Sequence, residues 1–209
     1  MKMRKLVKII CVSIVVALFL SIGIGVIAEI SVDEENQKFF SATKKLKEDK
    51  TVVAIVNNEK IYQYQIDIQM AAQELSQKNI TEMGVDTSLV STLTEDEILG
   101  NLIKNAIILQ EAKKQKLTAK YSDAKKYQEE QFELIMASDD EQTRFIEQYR
   151  QEMGWSEKEH IKQAAIEWQK EMTKSNFKNK FFDENPSATE QDYENYIDTL
   201  VECAEIEYK

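Results

Sequence analysis

Residues 51–77, TVVAIVNNEKIYQYQIDIQMAAQELSQ, predict a short strand, a tight turn, a second strand and a long helix. The β-branched run at 52–56 is typical of a strand, and Asn57-Asn58 suits a two-residue hairpin turn whose central residues need positive φ. From Ile66 onward the apolar positions take helical spacing. We therefore expect the folded domain to open with a β-hairpin that leads directly into a helix.

Further helices are marked by capping patterns and apolar stripes. Thr94-Glu95-Asp96-Glu97 has the pattern of a capping box, and the broad apolar stripe after it predicts a central helix that runs to about Lys116. The same signals predict four more helices, over about 122–135, 141–151, 157–182 and 189–200. Gly154 fits the position just after a helix end, and Ser156 to Glu159 has a second capping pattern.

The last residues are expected to complete a sheet. A two-stranded hairpin is marginal by itself, and the alternating segment 203–208 is the candidate for a third strand beside 52–56. The predicted fold class is therefore mainly α, with a small β-sheet formed by an N-terminal hairpin and a C-terminal strand, preceded by one transmembrane helix.

Residues 1–30 are predicted to be an N-terminal signal anchor. Four basic residues precede 9–28, which contains no charged residue, and about 20 apolar residues suffice to span a bilayer. The basic cluster keeps that end in the cytoplasm, so the rest of the chain is expected to be extracytoplasmic. The alternative is secretion after signal-peptide cleavage behind Ala28; the anchor is favoured because the apolar run exceeds an ordinary signal core.

The rest of the chain is divided into a stalk and a domain. Residues 31–50 are mostly polar and are interpreted as a partly helical stalk, and 51–209 as the folded domain. A stripe of small residues in the anchor, Ala17, Ser21 and Gly25, allows the hypothesis of a weak homodimer through the membrane. A lone anchor is favoured, because small residues are common in spanning helices.

Charge and composition exclude several classes of function. The formal net charge of −10 argues against nucleic acid and anionic lipid surfaces as partners. Cys11 and Cys203 form no disulfide framework and no metal-type spacing. His160 is the only histidine, and a metal site or nucleophilic triad needs several convergent groups, so it is interpreted as a partly exposed helical residue. No catalytic residue, metal or cofactor is expected.

The motif VNNEKIY at 56–62 resembles the start of the N-terminal chaperone domain of the SurA and PrsA family of extracytoplasmic chaperones. The family pattern is VNG-x-x-I-(T/S) followed by a helix, so Asn58 stands in place of glycine and Tyr62 in place of the capping Ser or Thr. The central helix over 102–112 also resembles its family counterpart. The resemblance implies a SurA N-domain-like helical fold and binding of unfolded or newly exported polypeptides without ATP.

Family members often carry a parvulin prolyl isomerase domain, and the residues after Pro186 are too few for one. The expected function is therefore that of a membrane-anchored holdase and not of an enzyme. Two alternatives remain open at this point. They are a peptidyl-prolyl cis-trans isomerase and an adaptor for one dedicated membrane partner.

Exposed apolar side chains are the predicted peptide-binding surface. Met and aromatic residues suit that role because they repack around different partners. We place the candidate positions in the loop at 80–93 and off the main helical stripes. They are Met83, Leu89, Phe132, Met136 and Phe177. The alternative for each is an ordinary place in the core.

Overall fold

The computed structural model describes residues 34–82, 92–138 and 141–209, which form a mainly helical fold with one small sheet, as predicted. The elements, in chain order, are α1 (Glu34–Leu46), β1 (Val52–Val56), β2 (Glu59–Tyr62), α2 (Gln63–Glu82), α3 (Glu95–Lys114), α4 (Tyr121–Met136), α5 (Glu141–Met153), α6 (Glu157–Glu184), α7 (Glu190–Glu202) and β3 (Ile206–Tyr208). The predicted anchor at 1–30 lies outside the described residues. Among the helices of the described ranges, none has both the length and the apolar composition that a membrane span requires.

The sheet forms from the hairpin and the C-terminal strand, which confirms that prediction. Its order is β2-β1-β3 and both pairs are antiparallel, with Val56 opposite Glu59 on one side and Ile206 on the other. Asn57 and Asn58 have φ of 47° and 74°. These are the left-handed values that a type I′ turn requires, and asparagine tolerates them better than most residues with a side chain.

Helix α2 starts without the Ser or Thr cap that its position usually carries. The Tyr62 N–H instead donates to Gln65 Oε1 at 2.8 Å, and the Gln63 N–H donates to the Thr51 carbonyl oxygen at 2.9 Å. Two backbone donors at the helix start are thereby satisfied. Strand β2 can therefore continue into the helix with no loop between them.

The predicted helix boundaries after residue 93 are largely confirmed. The capping box of Thr94 and Glu97 is present in full at the start of α3. At the start of α6 only half of the second capping box forms. The Glu159 N–H donates to Ser156 Oγ. The Glu159 carboxylate accepts from Lys162 and Gln163 and not from the Ser156 N–H. Lys116 and Gly154 follow α3 and α5 with φ of 60° and 68°, so a lysine adopts the left-handed position in which glycine is usual.

Helix α3 lies at the centre of the fold and packs on two sides. One face packs on the sheet, in a cluster of Ala54, Val56, Ile61, Ile103 and Ile107. A second face packs on α6 and α7, in a cluster of Ile108, Ala112, Phe177, Tyr193 and Ile197. Cover on more than one side explains why the apolar stripe of α3 is broader than that of a surface helix.

Helix α1 corrects the interpretation of 31–50 as a stalk. Phe40 is fully buried, and its ring lies 5.0 Å from the Phe145 ring and 5.1 Å from the Tyr149 ring, between centroids. At the edge of the same contact, Gln37 and Ser41 donate to the Glu152 carboxylate at 2.8 and 3.1 Å. A short apolar face is enough to dock this otherwise polar helix, because α5 offers a matching aromatic surface.

Candidate functional site

A cleft of about 440 Å³ opens where α1, β2, α2, α3, α5 and α6 face one another. Its size lies within the range of roughly 300–1,000 Å³ that is typical of ligand sites. The walls come from segments that are far apart in the sequence, from Thr43 to Lys174. The cleft therefore exists only once the helices have packed together.

The floor of the cleft is apolar. Ile61 of β2, Ile68 of α2 and Ala106 of α3 are buried beneath it. Leu102 and Leu109 of α3 are half-buried and present apolar surface to the opening. A ligand with apolar side chains can bury that surface, at roughly 25 cal/mol for each Å² removed from water.

The sequence of α3 explains how one helix supplies both core and floor. Leu102, Ala106 and Leu109 follow helical spacing of four and three residues, so they share one face. Ile103 and Ile107 lie one position further along the chain and pack on the sheet. The nearly continuous apolar run therefore serves both surfaces: Leu109 lines the cleft, and Leu102 borders both the cleft and the cluster beneath the sheet.

Helix α6 contributes a charged rim whose members are mostly paired. The Nζ of Lys170 lies 3.0 Å from a Glu167 carboxylate oxygen, and that of Lys174 lies 2.8 Å from Glu171. The Lys174 ammonium also donates to Asn105 Oδ1 at 3.2 Å. Paired in this way, these groups leave this side of the rim close to electrically neutral. Such pairs contribute little to stability.

Lys47 differs from the other lysines of the cleft. It is half-buried, and burial lowers the pKa of its ammonium; the charge of Glu167 partly opposes this, and that of Lys50 adds to it. Its Nζ lies 5.8 Å from the centre of the Trp155 ring. Within the described residues, no carboxylate oxygen lies within 4.0 Å of the Lys47 Nζ. The cleft therefore contains a partly desolvated cation that forms no ion pair with any residue that the structure describes.

Aromatic rings border the cleft at two places. The Tyr64 ring stacks on the Tyr62 ring, with 5.6 Å between the ring centroids. The Lys50 Nζ lies 4.9 Å from the centre of the Tyr64 ring. At the other border, burial raises the pKa of Tyr149 to about 12, so its hydroxyl stays neutral. Both rings can contact apolar groups of a ligand.

His160 lies outside the cleft lining, and its predicted partial exposure is wrong. It is 5% exposed, next to Phe132, Tyr149 and Trp155, with ring centroids 5.6 to 6.4 Å away. Desolvation, and then the charge of Arg150, lower the pKa of His160 to about 4. The imidazole is therefore neutral at physiological pH. Among the described residues, no group of three or more His, Cys, Asp and Glu side chains could hold a metal ion.

The predicted peptide-binding residues are not the ones that line this cleft. Phe132 and Phe177 are 6% and 2% exposed, so the prediction of their exposure is wrong. Met136 is half-buried and packs against the cluster that contains Phe132. Met83 and Leu89 lie outside the described residues.

Phe132 and Phe177 are buried because helices other than their own cover their side chains. Phe132 of α4 packs with residues of α1, α5 and α6, and Phe177 of α6 stacks on Tyr196 of α7 at 6.1 Å. The residues that the prediction missed are Leu102, Leu109, Tyr64 and Lys47. Leu102 and Leu109 carried a usable signal, since the stripe of α3 is wider than one contact face needs.

No family model, no curated protein and no solved structure matches this chain.

Proposed function

We propose that this chain is a membrane-anchored, extracytoplasmic chaperone of the SurA and PrsA type, which holds unfolded or newly exported polypeptides without ATP. In this proposal the cleft is the binding surface, and it takes an extended segment of the client. The chain acts as a binder and not as an enzyme, and it has no nucleic-acid partner.

The apolar floor with its ion-paired rim is the observation that carries the proposal. A holdase must bind many sequences weakly, so it needs apolar surface that remains accessible and a border that does not itself aggregate. Leu102 and Leu109 supply the first, and the ion pairs of α6 supply the second. The amide oxygens of Gln65 and Asn105 already accept from the Tyr62 N–H and Lys174, and their NH2 groups add donors for the backbone of an extended segment.

The proposed location is supported by the N-terminal sequence. The basic residues before the apolar run at 9–28 favour an anchor with the following domain outside the cytoplasm. Protease added to intact cells stripped of their wall should digest the domain and leave a small membrane fragment. Digestion that begins only after lysis would contradict this location.

The binding proposal is tested by aggregation of a denatured model protein in the presence of the full-length chain. Leu109→Glu places a charge on the cleft floor and should remove most of the protection. Leu134→Glu is the matched control, because Leu134 is 66% exposed on α4 and lies outside the cleft. Thermal unfolding of both variants shows whether the fold is kept.

Two results would refute the proposal. One is a wild-type chain that leaves the aggregation of several model proteins unchanged. The other is equal protection by the wild type and by a folded Leu109→Glu variant. A separate measurement of cis-trans isomerisation in a proline peptide should show the uncatalysed rate, which is tens to hundreds of seconds per event.

A further inference from the structure

The charged lining of the cleft is unevenly paired. Lys170 and Lys174 have carboxylate partners on α6, and the Glu59 carboxylate accepts from Gln110 Nε2 at 3.0 Å. Lys47 and Lys60 also line the cleft. Within the described part of the chain, neither of these two has a carboxylate within ion-pair distance. The lining thus holds four lysines against three carboxylates, and Lys47 and Lys60 are the two lysines that form no ion pair with those carboxylates.

Lys47 is the stronger of the two candidates, because Lys60 is exposed and Lys47 is half-buried. Removing an ammonium group from water costs free energy unless an anion or hydrogen-bond acceptor compensates. The nearest acidic influence is Glu167, and that carboxylate is already bound by Lys170 at 3.0 Å. A carboxylate brought by a ligand would therefore compensate the Lys47 ammonium.

We propose that Lys47 binds a carboxylate side chain of the client, so that the cleft selects extended polypeptide segments in which an acidic residue adjoins apolar ones. This inference rests on the proposed function of the cleft. In an extended segment, successive side chains point to opposite faces, so the two residues that flank the acidic one can both face the α3 floor while the acidic side chain points away from it. In this proposal Lys47 is the lining cation that the acidic side chain meets.

The charge of the whole chain opposes the binding of acidic segments elsewhere on its surface. The formal net charge is −10, so most of the surface repels acidic segments at long range. An acidic client is favoured only where lysines lack partners, and Lys47 and Lys60 provide such a place inside the cleft. Selection by Lys47 thus acts against the overall field of the protein, and added salt weakens both effects.

The test uses the full-length chain and short fluorescent peptides with blocked termini and a central Leu-Xaa-Leu, where Xaa is Glu, Gln or Lys. We expect the Glu peptide to bind about tenfold more tightly than the Gln peptide, as for a charge-assisted hydrogen bond. Lys47→Met should abolish this difference. Lys47→Arg should retain the difference.

The matched control is Lys45→Met, which removes an exposed lysine of α1 outside the cleft lining and should retain the preference for Glu. A Gln peptide with a free C-terminal carboxylate shows whether a chain terminus is preferred over a side chain. Tighter binding of that peptide than of the Glu peptide would overturn the assignment to a side chain.

The outcomes separate the two proposals. Equal affinity of the wild type for the Glu and Gln peptides, or tightest binding of the Lys peptide, overturns the role of Lys47 while the cleft remains a peptide site. A preference for Glu that survives in folded Lys47→Met overturns it as well. If none of the peptides binds, the proposed function fails, and this inference fails with it.

Discussion

The Asn57 side chain joins the hairpin turn to the C-terminal strand, since its Oδ1 accepts a hydrogen bond from the Glu205 backbone N–H at 2.9 Å across 148 residues. The Asn57 N–H in turn donates to the Glu205 carbonyl oxygen at 2.9 Å. Its Nδ2 donates to Gln110 Oε1 on α3, also at 2.9 Å. One turn residue therefore links the hairpin, the central helix and the last strand.

We expect Asn57→Ala to lower the free energy of unfolding by about 2–3 kcal/mol. The change removes two side-chain hydrogen bonds, worth about 1 kcal/mol each, and places alanine at a φ of 47°, which asparagine tolerates better than alanine does. Urea unfolding followed by circular dichroism measures the effect. Asn58→Gly is the control. Asn58 is exposed and its φ of 74° suits glycine, so this variant should be as stable as the wild type or slightly more stable. Equal stability of Asn57→Ala and the wild type would contradict this role.

The loop between α3 and α4 depends on Thr173 of α6. The buried Thr173 Oγ1 accepts from the Ala119 N–H at 3.0 Å, and Gln169 Nε2 donates to the Ala119 carbonyl oxygen at 2.8 Å. Thr173→Val keeps the shape and leaves the Ala119 N–H without this acceptor, so we expect a loss of about 1–3 kcal/mol. Thr118→Val, at an exposed position of the same loop, should change stability by less than about 0.5 kcal/mol. If Thr173→Val loses no more stability than Thr118→Val, the hydrogen bond from the Ala119 N–H makes no net contribution to stability.

The C-terminal strand should contribute to stability through Ile206. Its side chain is half-buried and packs with the cluster between the sheet and α3, so we expect Ile206→Ala to cost about 1–2 kcal/mol, below the range for a fully buried isoleucine. The neighbouring Glu207 is exposed, and Glu207→Ala serves as the control with an expected change near zero. Thermal midpoints of the two variants decide the comparison. Identical midpoints would mean that the Ile206 side chain adds no stability.

His160 should make the fold sensitive to mild acid. Its pKa is about 4 in the folded chain and about 6.5 when unfolded, so the unfolded state takes up the proton first and stability falls as pH drops below 6.5. Between pH 7.5 and pH 5 this linkage should cost about 2 kcal/mol. The stabilisation is fully present above pH 6.5 and is lost progressively towards pH 4.

The measurement compares wild type and His160→Gln by denaturant unfolding at both pH values. Glutamine does not titrate, so the variant should lose about 2 kcal/mol less than the wild type over this interval. Its carboxylates remain and account for the residual acid dependence, because the pKa values of Glu97 and Glu152 are lowered by hydrogen bonds in both proteins. Parallel pH profiles of the two proteins would show that burial does not perturb His160.

The parts of this protein that follow from local backbone chemistry could be predicted from the sequence. Asn57-Asn58 determined the turn, because few other residues accept two successive positive φ values. Thr94 and Glu97 determined the start of α3, and Gly154 determined the end of α5. Each of these signals acts within one or two turns of chain, so no distant contact can easily override it.

Only the tertiary structure decided which apolar faces are covered and which remain open. Helical periodicity identifies Phe132 and Leu109 as apolar positions. It does not predict that α1 and α5 cover Phe132, or that Leu109 borders a cleft. The docking of α1 through Phe40 and the burial of Lys47 and His160 likewise depend on segments far away in the sequence. The physical reason is that burial is a property of a pair of surfaces, and a sequence pattern describes one surface at a time.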